Sequence, residues 1–266
     1  MDLEKICRSV IDIAKNTGAF IAGERVNFDL KLVEIKGKAN FVSYVDKKAE
    51  ELIVEGLRGV LPEAGFITEE GTAFDSGEKY RWVIDPLDGT TNFIHGAPPY
   101  AVSIGLIEKD EVILGVVYEI SKDECFYAWK GSKAMLNGKE IHVSEASTTQ
   151  EALIVTGFPY GEIKNSDAFI ETIKYLMVNS HGIRRLGSAA TDLSYVAAGR
   201  FEAFWETGLS PWDVAGGIII LQQAGGKITD FRGGNNFLFG GEIVASNNNY
   251  FKEFQSVIEK NYCQSA

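Results

Sequence analysis

A short acidic motif follows an apolar segment in the first third of the chain. Residues 85–88 (Asp-Pro-Leu-Asp) place two carboxylates three residues apart, and a glycine and two threonines come next. Pro86 fixes its own φ and disfavours the α region for the aspartate before it, so the motif predicts that the strand breaks into a tight turn. Both carboxylates would then project from one turn, close enough to bridge hard cations. Gly89 permits a close ligand, and Thr90 or Thr91 is suited to cap a following helix. A surface Asp-Pro turn with a threonine cap is the alternative.

Two further acidic signals stand elsewhere in the chain. Residues 65–68 predict a short strand that ends at Glu69-Glu70. Two strands that end at one sheet edge would bring these glutamates beside the Asp-Pro motif. Far downstream, Pro211 suits the first turn of a helix, and Asp213 then lies in that turn, where a carboxylate complements the helix dipole. A solvated strand end also explains the glutamates, and helix capping also explains Asp213, so the residues alone leave these alternatives open.

Together these motifs resemble the signature of the inositol monophosphatase family, which comprises magnesium-dependent, lithium-sensitive phosphatases of sugars and polyols. The likeness lies in Glu69-Glu70, in W-V-I-D-P-L-D-G-T-T-N-F at 82–93 and in G-L-S-P-W-D-V-A-G-G at 208–217, and it extends to 187–190 and 224–226. The resemblance implies two or three Mg²⁺ ions as cofactors, and it places Glu70 in the outer shell. The metal ligands that it implies are Glu69, Asp85, Asp88, Asp213 and the main-chain carbonyl of Leu87.

The composition favours a single soluble enzyme. The chain has 266 residues, of which 45% are hydrophobic, and a net charge of −11. No apolar run reaches the ~18 residues that a membrane span needs, and the first residues lack a basic and then apolar signal region, so we expect no membrane association. Three widely spaced cysteines predict neither a disulfide framework nor a zinc site, which favours the cytoplasm. The negative charge predicts no direct nucleic acid binding, and a phosphate ester would need bound cations that reverse the local field.

Hydrophobic periodicity predicts the elements that must position these groups. Helices are expected over 3–22 and 43–60, the second with a Ser43-x-x-Asp46 capping box. Residues 100–143 predict an antiparallel meander of alternating apolar and polar residues with tight turns. The second half predicts strands at 152–156, 183–186, 201–205, 227–231 and 242–246, and helices at 166–179, 188–198, 212–224 and from about 249. The 212–224 helix is apolar on nearly every side, as a helix buried between layers is.

These elements predict an α+β fold with layered sheets and helices. The resemblance implies a layered α/β/α/β/α sandwich of the sugar-phosphatase type. A seam near residue 145 divides the chain into an N-terminal α+β half, 1–145, with the Glu-Glu and Asp-Pro-Leu-Asp-Gly-Thr motifs, and a C-terminal α/β half, 146–266, with the Pro-Trp-Asp motif and the polyol-binding residues. Because Asp213 belongs to the second half, the active site is expected between the two halves.

Glu69 and Thr90 are the predicted catalytic residues. We hypothesise that Glu69 ligates a metal and accepts a proton from the attacking water, which Thr90 helps to orient. The N–H groups of Gly89 and Thr90, at a predicted helix start, would hold phosphate oxygens. Direct attack by Asp85 on phosphorus is the competing mechanism, and it conflicts with a ligand role for Asp85. Asp46 is either a helix cap or, by the resemblance, part of the outer shell of the metal site.

The alcohol side of the substrate is assigned chiefly by the family pattern, which places Gly187, Ser188, Ala189 and Glu206 around polyol hydroxyls. Glu206 follows an apolar strand and can accept hydrogen bonds from two vicinal hydroxyls, whereas an exposed strand-end carboxylate is the alternative. Lys36 lies in a polar loop that would close over the site or simply be solvated. The residues predicted to contact substrate are Glu69, Leu87, Asp88, Gly89, Thr90, Gly187, Ser188, Ala189, Glu206 and Asp213.

The leading interpretation is magnesium-dependent hydrolysis of myo-inositol 1-phosphate to inositol and phosphate. Fructose bisphosphate, a nucleotide 3′-phosphate or histidinol phosphate are alternative substrates for the same chemistry, and a binding role in a transcription complex is the non-enzymatic alternative. The resemblance also implies a homodimer, and the apolar meander at 100–130 would leave surface for a second copy to cover. The three histidines, His95, His142 and His181, have no ligand spacing and are predicted to be structural or surface residues.

Overall fold

The computed structural model describes residues 1–26, 28, 34–37, 40–73, 79–158 and 166–263. The helices in these ranges are α1 (Leu3–Val26), α2 (Tyr44–Val60), α3 (Thr90–His95), α4 (Ser166–Asn179), α5 (Ala189–Ala197), α6 (Pro211–Gln223) and α7 (Phe251–Cys263). The strands are β1 (Glu34–Gly37), β2 (Asn40–Val42), β3 (Gly65–Thr68), β4 (Tyr80–Asp88), β5 (Ala101–Glu108), β6 (Glu111–Glu119), β7 (Glu124–Trp129), β8 (Met135–Leu136), β9 (Lys139–Glu140), β10 (Leu153–Thr156), β11 (Gly182–Arg184), β12 (Ala203–Thr207), β13 (Lys227–Thr229) and β14 (Glu242–Ser246).

Two large sheets form the frame of the described chain. The first has the order β3-β4-β5-β6-β7-β8-β9, in which β3 and β4 are parallel and the remaining pairs are antiparallel. The second has the order β11-β10-β12-β14-β13, in which β10 runs parallel to both of its neighbours and β14 runs antiparallel to both of its own. A small antiparallel pair, β1-β2, precedes them.

Helices cover both faces of each sheet. Successive side chains of β4 point to opposite faces, so Trp82 and Ile84 pack in one core with α1 and α2, while Val83 packs in another with α5 and α6. A third core joins the second sheet to α4 and α7, with Trp205 and Phe254 in contact at 6.1 Å between ring centroids. The layer order is therefore α/β/α/β/α, which confirms the expected α+β sandwich.

The helix starts follow their sequence signals. Ser43 is the N-cap of α2, and it forms the predicted capping box with Asp46, whose Oδ2 accepts from the Ser43 N–H at 2.8 Å. Pro211 occupies the first turn of α6, and Asp213 closes a second box by accepting from the Ser210 N–H at 2.6 Å. Both carboxylates thus satisfy donors that a helix N-terminus leaves unpaired.

The meander differs from its prediction in one respect. The turns fall as expected, but β5 and β6 are buried on both faces, because α1 covers one side and α6 the other. Gly105 and Gly115 pair across these strands and face Ala215 and Gly216 of α6 closely enough that a Cβ would overlap the helix. The expectation that the meander leaves apolar surface for a second copy was wrong, since the chain covers that surface itself.

Two local expectations also need correction. The strand does not break at Pro86; β4 continues to Asp88 through a bulge, since Asp85 pairs with Ser103 and Asp88 with Ala101. A bulge tolerates proline because the extra residue leaves the ladder. The backbone of Lys36 belongs to β1 rather than to a loop.

No helix of the described residues is long and apolar enough to cross a membrane. The two large sheets meet in sequence between Glu140, the last residue of β9, and Leu153, the first of β10. That interval brackets the proposed boundary at residue 145. Helix α6 from the second half packs on the sheet of the first half, so the two halves share a core. The division 1–145 and 146–266 is therefore kept as a proposal about chain organisation.

Candidate active site

The predicted site residues from both halves of the chain line a single cleft with a volume of about 350 Å³. Its lining residues are Glu69, Asp88, Gly89, Thr90, Thr91, Gly157, Arg185, Gly187, Ser188, Ala189, Glu206, Gly208, Leu209, Ser210, Trp212 and Asp213. A larger groove of about 730 Å³ lies between α4 and α7, where two lysines and two glutamates mix with neutral side chains. We place the chemistry in the smaller cleft because the carboxylates of three separate motifs converge there.

The parallel pairing of β3 and β4 brings Glu69 to Asp85. Thr68 is in register with Ile84, so the next residue of each strand leaves the same sheet edge, and the Glu69 N–H donates to the Ile84 carbonyl at 3.3 Å. The two carboxyl groups lie close enough for the charge of Glu69 to act on Asp85. Burial raises the pKa of Glu69 to about 8, and the charges of Asp213 and Glu70 contribute to the rise. Burial and then the charge of Glu69 raise the pKa of Asp85 well above its ordinary value.

Asp88 is held by the N-terminus of α5. Its Oδ2 accepts from the Ser188 hydroxyl at 2.6 Å and from the Ala190 N–H at 2.7 Å. Burial raises the pKa of Asp88 to about 6, although these hydrogen bonds oppose the rise because they favour the charged form. The Ser188 hydroxyl is buried and bonds to Asp88 and Thr191, so it holds a carboxylate of the first half. Ser188 also lines the cleft, and its contact with polyol hydroxyls stays a prediction.

Asp213 completes the acidic end of the cleft from the first turn of α6. Burial raises its pKa to about 7, with the charge of Asp88 as the next cause. Glu69, Asp85, Asp88 and Asp213 therefore come from the end of β3, from β4 and from α6. The charges of Glu69, Asp88 and Asp213 each raise the pKa of at least one other carboxyl group of the four. The predicted carboxylates are brought together as expected.

Thr90 has a different local role from the one predicted. Gly89, with φ of 91°, is the N-cap of α3, so neither Thr90 nor Thr91 caps the helix. The Thr90 hydroxyl instead lies 3.0 Å from Asp46 Oδ1 and 3.0 Å from the Leu87 carbonyl oxygen. One oxygen of Asp46 therefore caps α2, as predicted, and the other reaches Thr90 beside the Asp-Pro motif. Its place in the outer shell of a metal site stays a prediction.

Two glycine turns meet where the halves of the chain touch. A Cβ on Gly89 would lie 3.2 Å from the Gly187 carbonyl oxygen, and both glycines have φ of 91°, a region that favours glycine. The Asn92 side chain donates to the carbonyls of Pro99 and Leu186, at 2.7 Å each, and ties the same two segments together. These contacts fix Gly187 and its neighbours beside the Asp-Pro motif.

Glu206 also lines the cleft, and it lies within β12 rather than after it. Its carboxylate packs against Gly157, where any Cβ would overlap it, so glycine makes room for the group. Burial raises the pKa of Glu206 to about 8, followed by the charges of Asp213 and Asp88, while Arg185 lowers it. The side chain is half-buried, so the alternative of an exposed strand-end carboxylate is wrong.

Sequence reasoning missed three charged residues around the cleft. Arg185 lines it, lies over the Phe158 ring at 5.6 Å and lowers the pKa of both Asp88 and Glu206. Asp192 is buried in α5, and neither of its oxygens has a hydrogen-bond partner among the described residues. Glu50 is buried in α2. The available signals were an arginine next to the Gly-Ser motif and charged residues on the apolar faces of two helices.

The remaining candidates are peripheral. His95, His142 and His181 are exposed, as the surface interpretation expects, and His142 lies 3.1 Å from Glu140. The predicted ligand carbonyl of Leu87 is buried under the Thr90 hydroxyl.

The donor set fits a hard divalent cation. Within the described ranges, no three His, Cys, Asp or Glu side chains are arranged as they stand to hold an ion. The groups are nevertheless all oxygen donors, which Mg²⁺ prefers, and their raised pKa values show that they lack a countercharge. A divalent cation among them would remove the repulsion that raises these pKa values.

Comparison with known proteins agrees with this geometry. The profile described as the inositol monophosphatase family matches residues 2–264. A protein named inositol-1-monophosphatase from Rhizobium meliloti is 41% identical over 229 residues, 86% of each chain. A protein named Nus factor SuhB from Pseudomonas aeruginosa is 42% identical over 251 residues, 92% of this chain and 93% of its own.

Solved structures show the same architecture. The extragenic suppressor protein suhB from Bartonella henselae is similar with a TM-score of 0.89 at 36% identity, over 95% of this chain and 98% of its own. An inositol monophosphatase from Anabaena is similar with a TM-score of 0.87 at 33% identity, over 98% and 97%. The family is generally metal-dependent and acts on phosphate esters. The chain thus belongs to the inositol monophosphatase family and is a phosphoric monoester hydrolase.

Proposed function

We propose that this chain hydrolyses myo-inositol 1-phosphate to inositol and phosphate and depends on Mg²⁺. The observation that carries the proposal is one cleft with carboxylates of two kinds. Glu69, Asp88 and Asp213 come from the motifs that are proposed to hold a cation and a phosphate group, and Glu206 lines the same cleft from β12, where it is proposed to meet ring hydroxyls. The family membership and the Rhizobium meliloti relative support the same reaction.

The residues that would hold Mg²⁺ are Glu69, Asp85, the Leu87 carbonyl, Asp88 and Asp213. Two or three ions held there would supply the positive charge that favours ionisation of water and departure of the alcohol oxygen. The chain itself sets their place, because Ser188 and Ala190 orient Asp88, Ser210 orients Asp213 and the Leu87 N–H orients Asp85 at 2.9 Å.

Glu69 and Thr90 are proposed to prepare the attacking water. Glu69 lines the cleft and is half-exposed, so water can reach it and give up a proton to it. The Thr90 hydroxyl has one proton and two acceptors, Asp46 Oδ1 and the Leu87 carbonyl, both at 3.0 Å. Its oxygen is thereby left as an acceptor that fixes the direction of a water molecule in the cleft.

Water is the proposed nucleophile in place of Asp85. The Asp85 side chain is only 2% exposed and does not belong to the cleft lining among the described residues. Direct attack on phosphorus would also conflict with the proposed role of Asp85 as a metal ligand. Gly89 and Thr90 do line the cleft, and their N–H groups are proposed to bind phosphate oxygens.

On the alcohol side, Glu206 is proposed to accept hydrogen bonds from two vicinal ring hydroxyls, with Gly187 and Ala189 forming the adjacent wall. A phosphate-release screen tests the whole proposal. Inositol 1-phosphate, fructose 1,6-bisphosphate, a nucleotide 3′-phosphate and histidinol phosphate are compared at equal concentration, with Mg²⁺ and with a chelator. We expect the inositol ester to give the highest kcat/KM and the chelator to abolish release. A higher value for another ester would reassign the substrate.

A binding role in transcription is the second candidate, because relatives of more than 40% identity bear the name Nus factor SuhB. The proposed site has no part in that role. Capture of RNA polymerase by the wild-type chain and equally by its Asp88→Asn variant would establish binding that is separate from catalysis. Absence of capture by the wild-type chain would remove this candidate.

A homodimer and a cytoplasmic location complete the proposal. The cytoplasm is proposed from cysteine usage, and the three cysteines are free.

For the dimer, α4 offers apolar side chains that the chain does not cover, including Met177 at 67% and Val178 at 82% exposure. Light scattering at micromolar concentration should give twice the chain mass of 29.2 kDa. A Met177→Glu, Val178→Glu variant should shift the mass toward the monomer if α4 contributes.

A further inference from the structure

Helix α2 carries two buried carboxylates on the face that looks toward the cleft. Asp46 and Glu50 are one turn apart, at positions whose Cβ atoms are about 5–6 Å from each other on a helix. They are 1% and 0% exposed. Asp46 reaches Thr90 in the Asp-Pro motif, and Glu50 reaches the chain that follows Glu69. The helix therefore touches, with adjacent carboxylates, both segments that build the acidic end of the cleft.

Glu50 is saturated by donors from one short segment. Its Oε2 accepts from the Glu70 N–H at 2.7 Å, and its Oε1 accepts from the Thr72 N–H and the Thr72 hydroxyl, at 2.8 Å each. All three donors belong to residues 70–72, although Glu50 lies 20 positions earlier in the chain. A carboxylate with both oxygens occupied in this way fixes the path of the segment, since it determines where two backbone amides and one side chain lie.

The 69–72 segment depends on anchors outside the sheet, because β3 ends at Thr68. On the strand side, Glu69 has a single backbone bond, from its N–H to the Ile84 carbonyl at 3.3 Å. Beyond residue 69 the chain leaves the sheet. Hydrogen bonds to Glu50 then hold the backbone on the C-terminal side of Glu69 in place.

We propose that Glu50 is a positioning residue of the active site: by binding the Glu70 N–H and Thr72, it holds the 69–72 segment so that the Glu69 carboxylate stays beside Asp85 at the cleft. Its effect on catalysis rests on the proposed function, but its effect on the segment does not. Glu50 touches no cleft surface, so it acts only through the residues that it orients.

Glu50→Gln is the direct test. The amide has almost the same shape but only one acceptor, so it turns a donor toward either Glu70 or Thr72 and loses at least one of the three bonds. We expect kcat to fall about tenfold and the Mg²⁺ concentration for half-maximal activity to rise, while KM for a simple aryl phosphate stays within about twofold. The matched control is Glu51→Gln, since Glu51 is the exposed neighbour whose partner is Lys48; it should behave as wild type.

A second pair of variants protects the test against a misfolded Glu50→Gln protein. Thr72 is an exposed residue, so Thr72→Val leaves no cavity in the core. The substitution removes the hydrogen bond from the Thr72 hydroxyl to Glu50. We expect it to move kcat and the Mg²⁺ requirement in the same direction as Glu50→Gln, and Thr72→Ser, which restores the hydroxyl, to recover the wild-type values. Ile53→Val, on the same helix, controls for lost stability and should leave both quantities unchanged.

Amide hydrogen exchange of the metal-free protein gives a readout without catalysis. The Glu70 and Thr72 amides should be protected in wild type, and at least one should exchange tenfold or more faster in Glu50→Gln, while amides in the middle of α2 keep their protection. Unchanged exchange in that variant, or equal kinetic changes in Glu51→Gln, would overturn the proposal. If the wild-type chain released no phosphate from any ester, the proposed function would fall, and exchange would still decide the role of Glu50.

Discussion

This protein has two groups of buried carboxylates, and the two groups face different kinds of neighbour. The support carboxylates, Asp46 and Glu50, accept hydrogen bonds from N–H and O–H groups. Two of the cleft carboxylates, Glu69 and Asp85, face each other, and the charge of Asp213 acts on both. Burial alone does not separate the groups. A buried acid surrounded by donors stabilises the fold, whereas buried acids that repel one another indicate a place for a cation.

Asp88 links the two groups, because it lines the cleft and is also held by Ser188 and Ala190. If its main role is to bind a cation, Asp88→Asn should keep the fold, since an amide oxygen can still accept from these donors, but should lower kcat/KM about 10²-fold or more. The measurement is phosphate release at low Mg²⁺, with circular dichroism as the check on folding. Activity near wild type would mean that Asp88 belongs with the support carboxylates.

A Glu206 variant tests whether this residue makes the cleft specific for ring hydroxyls. Glu206→Gln replaces one acceptor by a donor, so binding to two hydroxyl donors should weaken by roughly 1–3 kcal/mol. We expect about a tenfold or greater loss of kcat/KM with inositol 1-phosphate and a much smaller loss with an aryl phosphate that has no ring hydroxyls. Equal losses with both substrates would assign Glu206 to the metals or to the fold.

The repulsion among the cleft carboxylates should appear as a pH dependence of stability in the metal-free protein. The pKa values of Asp213 and Glu69 are raised to about 7 and about 8 in the folded state, from about 4 in an unfolded chain. The folded state therefore binds more protons between these values, and stability should fall as the pH rises from about 4 to about 8. Melting temperatures measured with a chelator should follow this course, and Mg²⁺ should flatten it. A stability that rises over this range without metal would contradict the assignment.

The smallest expected effect is a change in stability that has opposite signs for a cleft carboxylate and a support carboxylate. In metal-free protein at pH 8, Glu69→Gln should raise the melting temperature because it removes one of the repelling charges. Asp46→Asn should lower the free energy of unfolding by about 1 kcal/mol, since it weakens the cap on α2 and the bond to Thr90. Denaturant unfolding of both variants beside wild type decides the point, and a change of the same sign in both would erase the distinction.

Local signals in the sequence predicted most of the elements near the site. The Ser43 cap and the first turn of α6 at Pro211 both follow from residues a few positions apart. The prediction failed where packing overrides a local preference. Pro86 does not end β4, because the bulge opposite Ser103 and Ala101 removes the hydrogen bond that proline cannot make. Thr90 does not cap α3, because Gly89 adopts a conformation that only its lack of a side chain makes easy.

The roles of individual polar side chains were harder to predict, since they depend on partners that are distant in sequence. Ser188 appeared as a polyol contact, but its hydroxyl holds Asp88 from 100 positions away. Glu50 received no role from the sequence, but it anchors residues 70–72. Periodicity tells which face of a helix is buried and not which donors meet that face.

What the sequence by itself determined is the chemical inventory: oxygen ligands in three motifs, the order of strands and helices, and the apolar faces that make them stack in layers. These follow from side-chain types and from spacings that one turn or one strand can express. Only the tertiary structure decided which carboxylates face donors and which face each other, because that distinction arises where β3, β4, α2, α5 and α6 meet. The same side chain is a structural anchor or a candidate metal ligand according to the groups that surround it once water has been excluded.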